Sequence, residues 1–363
     1  MFLRIQFIQV LNKNILDIMN PIVSVIIPNY NNKGYLDELI QCFKRQTLKE
    51  WELIIVDDGS TDDSFESATK HTLKDRRIKV LQRTRKPKGG QTCRNMGYDV
   101  SQGKYVIFFD SDDMISENCL RQRVEYMEEH SDLDCAVFPT HSFKPRADYQ
   151  TLHKLDVCWG KRIEGDVLDK FLRNEYPFLV VSCIYKRQSI RTIRWREDIP
   201  VRQDLMFNLS VIFAGLRYAF CDKAEYDYFY RVEHSATNVS RNMTTPVKFN
   251  GMLSVFNYCI EEISKFDKPA KIRYLNSLER FIVNYGGQVV ISGSDNQCTE
   301  YLKYCSCNFP YFFCKRLTLA FSIVRKWNGP NKTIFSYVIF MLMFWHKFYF
   351  EMIKKGFRKF IYS

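Results

Sequence analysis

Hydrophobic positions in the first third of the chain change repeatedly between the spacing of a strand and the spacing of a helix. Residues 22–28 form a continuous β-branched run, typical of a strand buried on both faces, and residues 34–47 then place apolar side chains at helical spacing. Repetition of this pair predicts an α/β fold with a mostly parallel central sheet. The predicted strands are 22–28, 51–56, 78–82, 104–109 and 134–139, and the predicted helices are 34–47, 62–74, 92–101 and 117–129.

Acidic side chains follow directly after two of these strands. Asp57 and Asp58 come after the second strand, and Asp110, Asp112 and Asp113 come after the fourth. Carboxylates at the carboxyl ends of buried strands repel one another and lose hydration, so such clusters persist mainly where a cation or a ligand compensates them. Ligands bind at this edge of open α/β sheets, and Mg²⁺ or Mn²⁺ would bridge carboxylates to phosphates there. The clusters therefore predict a site for a diphosphate-bearing nucleotide.

Four motifs that include these clusters have the order and spacing of one enzyme family. They are V-S-V-I-I-P-N-Y-N at 23–31, D-D-G-S-T-D at 57–62, G-G-Q-T-C-R-N-M-G at 89–97 and D-S-D-D at 110–113. On these motifs the chain resembles family 2 glycosyltransferases, which have the GT-A fold and transfer a sugar from a nucleotide donor with inversion of configuration. The resemblance identifies neither the donor sugar nor the acceptor.

Residues of the first three motifs are candidates for holding the nucleotide. An aromatic ring can stack on a base, and a carboxylate can accept a hydrogen bond from a uracil N3–H or a ribose hydroxyl; Tyr30 and Asp58 have these chemistries. The resemblance implies that Asp58 favours uridine and adds Pro28 and Arg94 to the nucleotide-binding residues. Asp57 either caps its turn or contacts the ligand.

The fourth motif resembles the DxD motif of the family, with one further acid. The resemblance implies that Asp112 and Asp113 lie nearest a Mg²⁺ or Mn²⁺ ion, whose charge offsets the diphosphate so that the nucleoside diphosphate can leave. Asp110 is expected nearer the ribose or Arg94.

A later segment, Y-R-V-E-H-S at 230–235, resembles the family segment that closes over the diphosphate. Arg231 is expected to bind the diphosphate. His234 could complete the metal shell, because imidazole accepts Mn²⁺ readily, although a solvated loop histidine is the simpler interpretation.

The general base is expected outside the metal cluster, because carboxylates committed to a metal are poor proton acceptors. The family has an acidic E-D pair at the start of a helix, and here the matching pair is Gln203-Asp204, which keeps only the second acid. The resemblance assigns the base to Asp204, with Glu197 and Asp198 as less well matched alternatives. Compensation of the helix dipole is another possible role for Asp204.

The chain is expected to divide into an N-terminal extension at 1–20, a GT-A domain at 21–240 and a helical C-terminal region at 241–363. The first segment lacks the pattern of a signal peptide, and twelve cysteines suggest a reducing compartment. The irregular stretch at 143–159 predicts a loop or hairpin over a cleft.

Most of the net charge of +12 lies in the tail, where residues 311–363 carry ten Lys and Arg against one acid, so a nucleic-acid-binding role is not indicated. The apolar run at 334–345 is shorter than the ~20 residues that a spanning helix needs. Basic and aromatic residues alternate after it, which is typical of a helix in the lipid headgroup region. The tail predicts a peripheral protein at the inner face of the cytoplasmic membrane; packing of the apolar run on the catalytic domain is the alternative.

Together these features indicate a metal-dependent, inverting glycosyltransferase that uses a nucleotide sugar, with a UDP-sugar favoured. The acceptor would be a hydroxyl of a growing glycan or a lipid-linked molecule. Two alternatives stay open. One is a catalytically impaired glycan- or membrane-binding protein, supported only by Gln203, and the other is a sugar nucleotidyltransferase, although residues 29–34 are not the pyrophosphate loop that it would need.

Overall fold

The computed structural model describes residues 21–143, 157–221, 227–231 and 243–344, so the expected N-terminal extension lies outside the described residues. Its strands are β1 (Val23–Asn29), β2 (Trp51–Asp57), β3 (Ile78–Gln82), β4 (Tyr105–Phe108), β5 (Met114–Ile115), β6 (Cys135–Val137), β7 (Thr140–Phe143), β8 (Val157–Trp159), β9 (Cys183–Lys186), β10 (Tyr218–Phe220) and β11 (Tyr228–Arg231). Its α-helices are α1 (Lys33–Arg45), α2 (Ser64–Thr72), α3 (Gly90–Val100), α4 (Cys119–Glu129), α5 (Val167–Leu172), α6 (Gln203–Phe213), α7 (Pro246–Ser264), α8 (Lys268–Ser292), α9 (Asp295–Asn308), α10 (Tyr311–Lys326) and α11 (Lys332–Met343).

The central sheet has the strand order β10-β6-β9-β4-β1-β2-β3. Strands β3, β2, β1 and β4 are parallel to one another, β10 is parallel to β6, and β9 runs antiparallel to both β4 and β6. β1 and β2 are almost entirely buried, as their continuous apolar runs predict. The predicted α/β fold with a mostly parallel sheet is therefore confirmed.

The sequence pattern located the early elements well but missed a second sheet. β3 has its predicted bounds, and the ends of β1, β2, β4 and β6 differ from the predictions by at most two residues. The second sheet has the order β5-β11-β7-β8, and its strands are only two to four residues long. Strands this short carry too few alternating positions to be recognised from sequence. β7 and β8 pair antiparallel at the described ends of the stretch that was expected to form a loop or hairpin.

A fully buried ion pair anchors the second sheet. The Arg123 guanidinium donates through Nε and Nη2 to the two carboxylate oxygens of Asp227, at 2.6 and 3.1 Å, and Nη1 donates to the Val181 carbonyl at 2.9 Å. Both side chains have no exposed surface. Asp227 immediately precedes β11, and its carbonyl accepts the Ser116 N–H at 3.0 Å, next to β5. The pair therefore fixes where β11 begins.

The chain divides into two compact units, Met1–Val167 with Tyr176–Asn238, and Leu168–Glu175 with Val239–Ser363. In the second unit α8 contacts α7, α9, α10 and α11. Tyr301 illustrates the packing, since its ring stacks on Phe321 and its hydroxyl donates to the Ile282 carbonyl at 2.6 Å. Among the described residues, every helix is too short or too polar to span a bilayer.

The Arg123–Asp227 pair predicts an asymmetric response to mutation. Asp227→Ala leaves an uncompensated buried guanidinium and should lower the free energy of unfolding by about 3–5 kcal/mol, whereas Arg123→Met with Asp227→Leu should recover most of that loss. Urea denaturation measures both. The control is Glu128→Gln, which breaks the exposed Lys104–Glu128 pair and should cost less than about 1 kcal/mol. Equal effects of Asp227→Ala and Glu128→Gln would contradict the anchoring role.

Candidate active site

The turn after β2 is held from inside by Asp57. Its Oδ2 accepts the N–H groups of Gly59 and Ser60 at 3.0 and 2.9 Å, and its Oδ1 accepts the Asn29 side-chain amide at 2.9 Å. Only 1% of Asp57 is exposed. The sequence left turn capping and ligand contact open for Asp57, and in the structure Asp57 caps the turn.

Asp58 and Tyr30 lie on either side of this turn. The Asp58 N–H donates to the Asn29 carbonyl at 2.8 Å, so the ends of β1 and β2 meet there. The Asp58 carboxylate is buried and accepts a hydrogen bond from Arg83 Nε. Tyr30 is 43% exposed, with the Lys88 ammonium 3.6 Å from its ring centroid. An exposed ring beside a carboxylate suits a planar base with an N–H group.

Three segments converge on Gly90 at the start of α3. A Cβ on Gly90 would lie 3.0 Å from Arg94 Nη1 and 3.7 Å from both Gln203 Oε1 and Pro28 Cβ. The end of β1, the arginine of α3 and the first residue of α6 are therefore within van der Waals reach of one point. Any side chain at Gly90 would push against the Arg94 guanidinium.

Arg94 connects this point to the DxD segment. Its Nη2 donates to Asp110 Oδ1 at 2.6 Å, and only 8% of Arg94 is exposed. The guanidinium lies 4.4 Å from the centroid of the Trp195 ring, which stacks on Phe207 of α6 at 4.5 Å. A guanidinium held against an aromatic face keeps its charge with little freedom to move.

Asp113 is buried and fully engaged by β11. The Tyr228 hydroxyl donates to its Oδ2, and the Arg231 backbone N–H donates to its Oδ1 at 2.7 Å. Burial raises the pKa of the Asp113 carboxyl well above its usual range, and the neighbouring carboxylates of Asp112 and Asp110 raise it further. A cation or a ligand donor near this cluster would relieve that repulsion.

The Arg231 side chain points toward α1. Its Nε donates to the Asp112 carbonyl at 2.7 Å, and its Nη2 pairs with Glu38 Oε2 at 2.8 Å. The guanidinium lies 4.3 Å from the ring centroid of Tyr35 and 4.8 Å from that of Phe143. Arg231 is thus placed beside the acidic segment, with Glu38 as its carboxylate partner.

Asp204 lies in the first turn of α6, two residues after Arg202, whose backbone is left-handed with φ of 50°. Burial raises the pKa of the Asp204 carboxyl to about 6; the Arg94 charge lowers this pKa and the Asp110 charge raises it. The carboxyl therefore stands within electrostatic reach of the Arg94–Asp110 pair. A carboxylate with this pKa can accept a proton near neutral pH.

The two alternative bases are engaged elsewhere. Glu197 Oε1 accepts Arg85 Nη2 at 2.6 Å and Asn95 Nδ2 at 2.8 Å. Asp198 forms a bidentate pair with Arg196, with N–O distances of 2.8 and 2.7 Å, and this hydrogen bonding lowers the pKa of the Asp198 carboxyl. Both carboxylates are therefore committed to neighbouring side chains.

Comparison with known proteins agrees with this geometry. The family model Glycosyl transferase family 2 matches residues 24–194. The putative teichuronic acid biosynthesis glycosyltransferase TuaG of Bacillus subtilis is 37% identical over 198 residues, which cover 54% of this chain and 73% of TuaG. The chain belongs to glycosyl transferase family 2.

Other relatives of this family 2 chain are matched over less of their length. The chain is 29% identical to the uncharacterized glycosyltransferase EpsJ of B. subtilis and 37% identical to the glycosyltransferase GlyG of Streptococcus pneumoniae. The matches cover 58% and 31% of this chain, and 61% and 36% of those proteins. Among solved structures, S. aureus TarS 1-349 in complex with UDP-GlcNAc superposes with a TM-score of 0.62 at 18% identity, covering 92% of each chain. This likeness shows that the fold is shared.

The donor set at the DxD segment suits a hard cation, but the side chains alone do not form a cage. Among the described residues no group of three or more His, Cys, Asp or Glu side chains is arranged to hold a metal ion. Mg²⁺ in such enzymes commonly takes one or two carboxylates and completes its shell with substrate phosphates and water. Asp112 is the partly exposed carboxylate of the pair, whereas both oxygens of Asp113 already accept hydrogen bonds from β11. His234, the third expected metal ligand, lies outside the described residues.

Three residues of the site were not found from the sequence. Arg83 binds Asp58, Trp195 supports Arg94, and Tyr228 binds Asp113. Arg83 stands in a segment without a motif, and Trp195 stands at the start of the segment that leads to Gln203-Asp204, where nothing in the sequence marks it as a partner of Arg94. Tyr228 and Tyr230 do carry a signal, since tyrosines two positions apart predict one face of a strand.

The raised pKa of Asp204 predicts that this residue lowers stability at neutral pH. The folded-state pKa of about 6 exceeds the ordinary value of 3.8, so the unfolded chain releases the proton first and stability falls as pH rises through this window. Asp204→Asn removes the buried charge and should raise the free energy of unfolding by about 1–3 kcal/mol at about pH 7.5 but by little at about pH 4. Urea denaturation at both pH values measures this. Asp198→Asn, which loses an ion pair, is the control and should give no gain; a gain from Asp204→Asn that is independent of pH would contradict the assignment.

Proposed function

We propose that this protein is an inverting glycosyltransferase that moves a sugar from a UDP-sugar to a hydroxyl of a growing glycan or lipid-linked acceptor. The observation that carries the proposal is the proximity of two chemically different carboxylate groups. Asp110 is neutralised by Arg94, whereas Asp204 has a carboxyl whose raised pKa suits proton transfer. An inverting transferase needs both kinds of carboxylate, because one acts on the donor side and the other activates the acceptor hydroxyl.

The donor side is proposed to run from Tyr30 to Arg231. Tyr30 would stack on the base, and Asp58, oriented by Arg83, would accept the uracil N3–H or a ribose hydroxyl. Arg94 and Pro28 would lie along the nucleotide. Arg231 would leave its ion pair with Glu38 and bind the diphosphate, because a phosphate also offers a pair of acceptor oxygens and carries more charge than a carboxylate.

The acceptor side is proposed to depend on Asp204. Its carboxylate would take the proton of the acceptor hydroxyl while that oxygen attacks the anomeric carbon in line with the departing diphosphate. A Mg²⁺ or Mn²⁺ ion held by Asp112 and Asp113 would supply positive charge to the leaving diphosphate. Gln203 replaces the first acid of the family pair, and its Oε1 lies 3.7 Å from the position that a Cβ on Gly90 would take.

Separate losses of binding and turnover are expected when these carboxylates are changed. Asp204→Asn should leave UDP binding nearly intact and reduce turnover by ~10²- to 10⁴-fold, the usual range for a general base. Asp113→Asn should abolish transfer and weaken Mn²⁺-assisted UDP binding. Calorimetry with UDP and Mn²⁺, beside an assay of UDP release from UDP-GlcNAc and other UDP-sugars, measures both.

The matched control for these variants is Asp198→Asn, whose carboxylate is paired with Arg196 at the surface and should not affect turnover. For the wild type, kcat/KM should fall about tenfold per pH unit below about pH 6 as Asp204 is protonated. Full activity of Asp204→Asn, or full activity in excess chelator, would exclude this mechanism. UDP binding without any transfer by the wild type would favour a binding protein on an impaired scaffold.

We also propose that the second unit holds the protein on the inner face of the cytoplasmic membrane. α11 buries Ser336 and Phe340 but exposes Tyr337, Val338 and Leu342, the last by 64%. Residues 311–344 contain Lys and Arg but neither Asp nor Glu. An exposed apolar stripe within an acid-free basic segment suits insertion among anionic lipid headgroups.

Membrane binding should therefore be lost when the exposed apolar stripe is made polar. The triple variant Tyr337→Ser, Val338→Ser and Leu342→Ser removes the inserted groups while keeping the buried face of α11, so the fold should be retained. Flotation with anionic liposomes should retain the wild type and lose the variant, with UDP binding equal in both. The control is a triple variant at exposed polar positions, Thr318→Ser, Ser322→Ala and Thr333→Ser. Equal flotation of the wild type on neutral and anionic liposomes, or equal flotation of both triple variants, would contradict this placement.

A further inference from the structure

One face of the second sheet carries aromatic side chains beside the carboxylate cluster. Thr140 of β7 is paired with Trp159 of β8 and with Tyr228 of β11, so these three side chains share a face. Tyr230 lies two positions after Tyr228 and therefore joins that face. The centroids of the Trp159 and Tyr230 rings are 5.6 Å apart, and their planes meet at 77°. Both residues are half-buried.

The two tyrosines of β11 differ in how their hydroxyls are used. Tyr228 is fully buried, and its hydroxyl donates to Asp113. Tyr230 is the next residue on the same face of β11. Within the described part of the chain, no hydrogen bond is found for its hydroxyl. A partly exposed phenol beside a nucleotide site, without a protein acceptor, can bond to a ligand.

The DxD carboxylates and Asp204 all act on the Tyr230 hydroxyl. Burial raises the pKa of its hydroxyl to about 12, and the charges of Asp113, Asp110, Asp112 and Asp204 all contribute to this rise. The phenol therefore remains protonated and can only donate to, or accept from, a ligand as a neutral group. The hydroxyl is therefore within electrostatic reach of both the DxD carboxylates and the proposed base.

We propose that Trp159 and Tyr230 form the subsite for the transferred pyranose of the donor. This inference rests on the proposed function, because the sugar is the group that joins the diphosphate to the atom attacked by the acceptor. The Tyr230 hydroxyl donates a hydrogen bond to an oxygen of the sugar, and the Trp159 ring packs against the C–H groups of the pyranose. These contacts bind the sugar and leave the uridine and diphosphate contacts unchanged.

The test compares UDP with an intact UDP-sugar. Calorimetry in the presence of Mn²⁺ gives the affinity of the wild type for UDP, UDP-GlcNAc, UDP-glucose and UDP-galactose, and the sugar that binds most tightly is used with the variants. Tyr230→Phe and Trp159→Leu should each weaken binding of that UDP-sugar about tenfold, as expected for loss of one hydrogen bond or one ring contact, and should change UDP affinity less than about twofold. Tyr98→Phe, which removes a hydroxyl bonded to the Arg187 carbonyl at the far end of α3, is the control and should change neither affinity.

Two results would overturn the subsite while leaving the proposed function in place. One is unchanged UDP-sugar affinity in both variants, and the other is an equal loss for UDP and the UDP-sugar, which would assign the pair to the nucleotide. Failure of the wild type to bind UDP or any UDP-sugar would instead contradict the proposed function, and the subsite with it. Melting temperatures of all variants identify any that fail to fold.

Discussion

Compensation of negative charge at the carboxyl edge of the parallel sheet is the constraint on which the site depends. Asp110, Asp112 and Asp113 stand close together after β4, and burial makes their mutual repulsion costly. Arg94 supplies a compensating positive charge. Its guanidinium packs against Trp195 and pairs with Asp110 at 2.6 Å. The same guanidinium also lowers the pKa of Asp204, so one cation acts on both Asp110 and Asp204. The compensation is partial, since burial and the charges of Asp112 and Asp110 still raise the pKa of Asp113, and a cation bound with the substrate would relieve this repulsion.

The second sheet shows how a short strand can organise such a site. β11 has four residues, yet its side chains and backbone contact Asp113, Asp112 and Glu38, and its start is fixed by the buried Arg123–Asp227 pair. Alternation along the strand sends Tyr228 and Tyr230 to one face and Arg231 to the other, toward Tyr35. One strand therefore supplies groups to both sides of the acidic segment. Burying an ion pair costs desolvation free energy, and here the Arg123–Asp227 pair fixes the position of β11.

The sequence predicted the features that depend on local pattern and failed where tertiary contacts decide. The strands at 51–56 and 78–82 were found because short apolar runs between polar turns are typical of buried strands, and the acidic clusters after the second and fourth strands then followed from topology. The second sheet was missed because two to four residues cannot display a period. Arg83 and Arg123 were missed because nothing near them in sequence marks them, and Trp195 was missed because the segment that it opens does not reveal a contact with Arg94. The fold brings these three residues to Asp58, Asp227 and Arg94. Within the described residues, the expected neighbours Arg94 and Asp110 were found together.

The anomeric configuration of the product is the sharpest test of the roles proposed for these carboxylates, because a single base opposite a leaving diphosphate permits only one displacement. Proton NMR of the product formed from an α-linked UDP-sugar, such as UDP-GlcNAc, reports this configuration at the transferred C1. With Asp204 as base and the Arg94–Asp110 pair on the donor side, we expect a β-linked product. An α-linked product would require a second displacement or a front-face reaction, and it would contradict the roles assigned to these carboxylates.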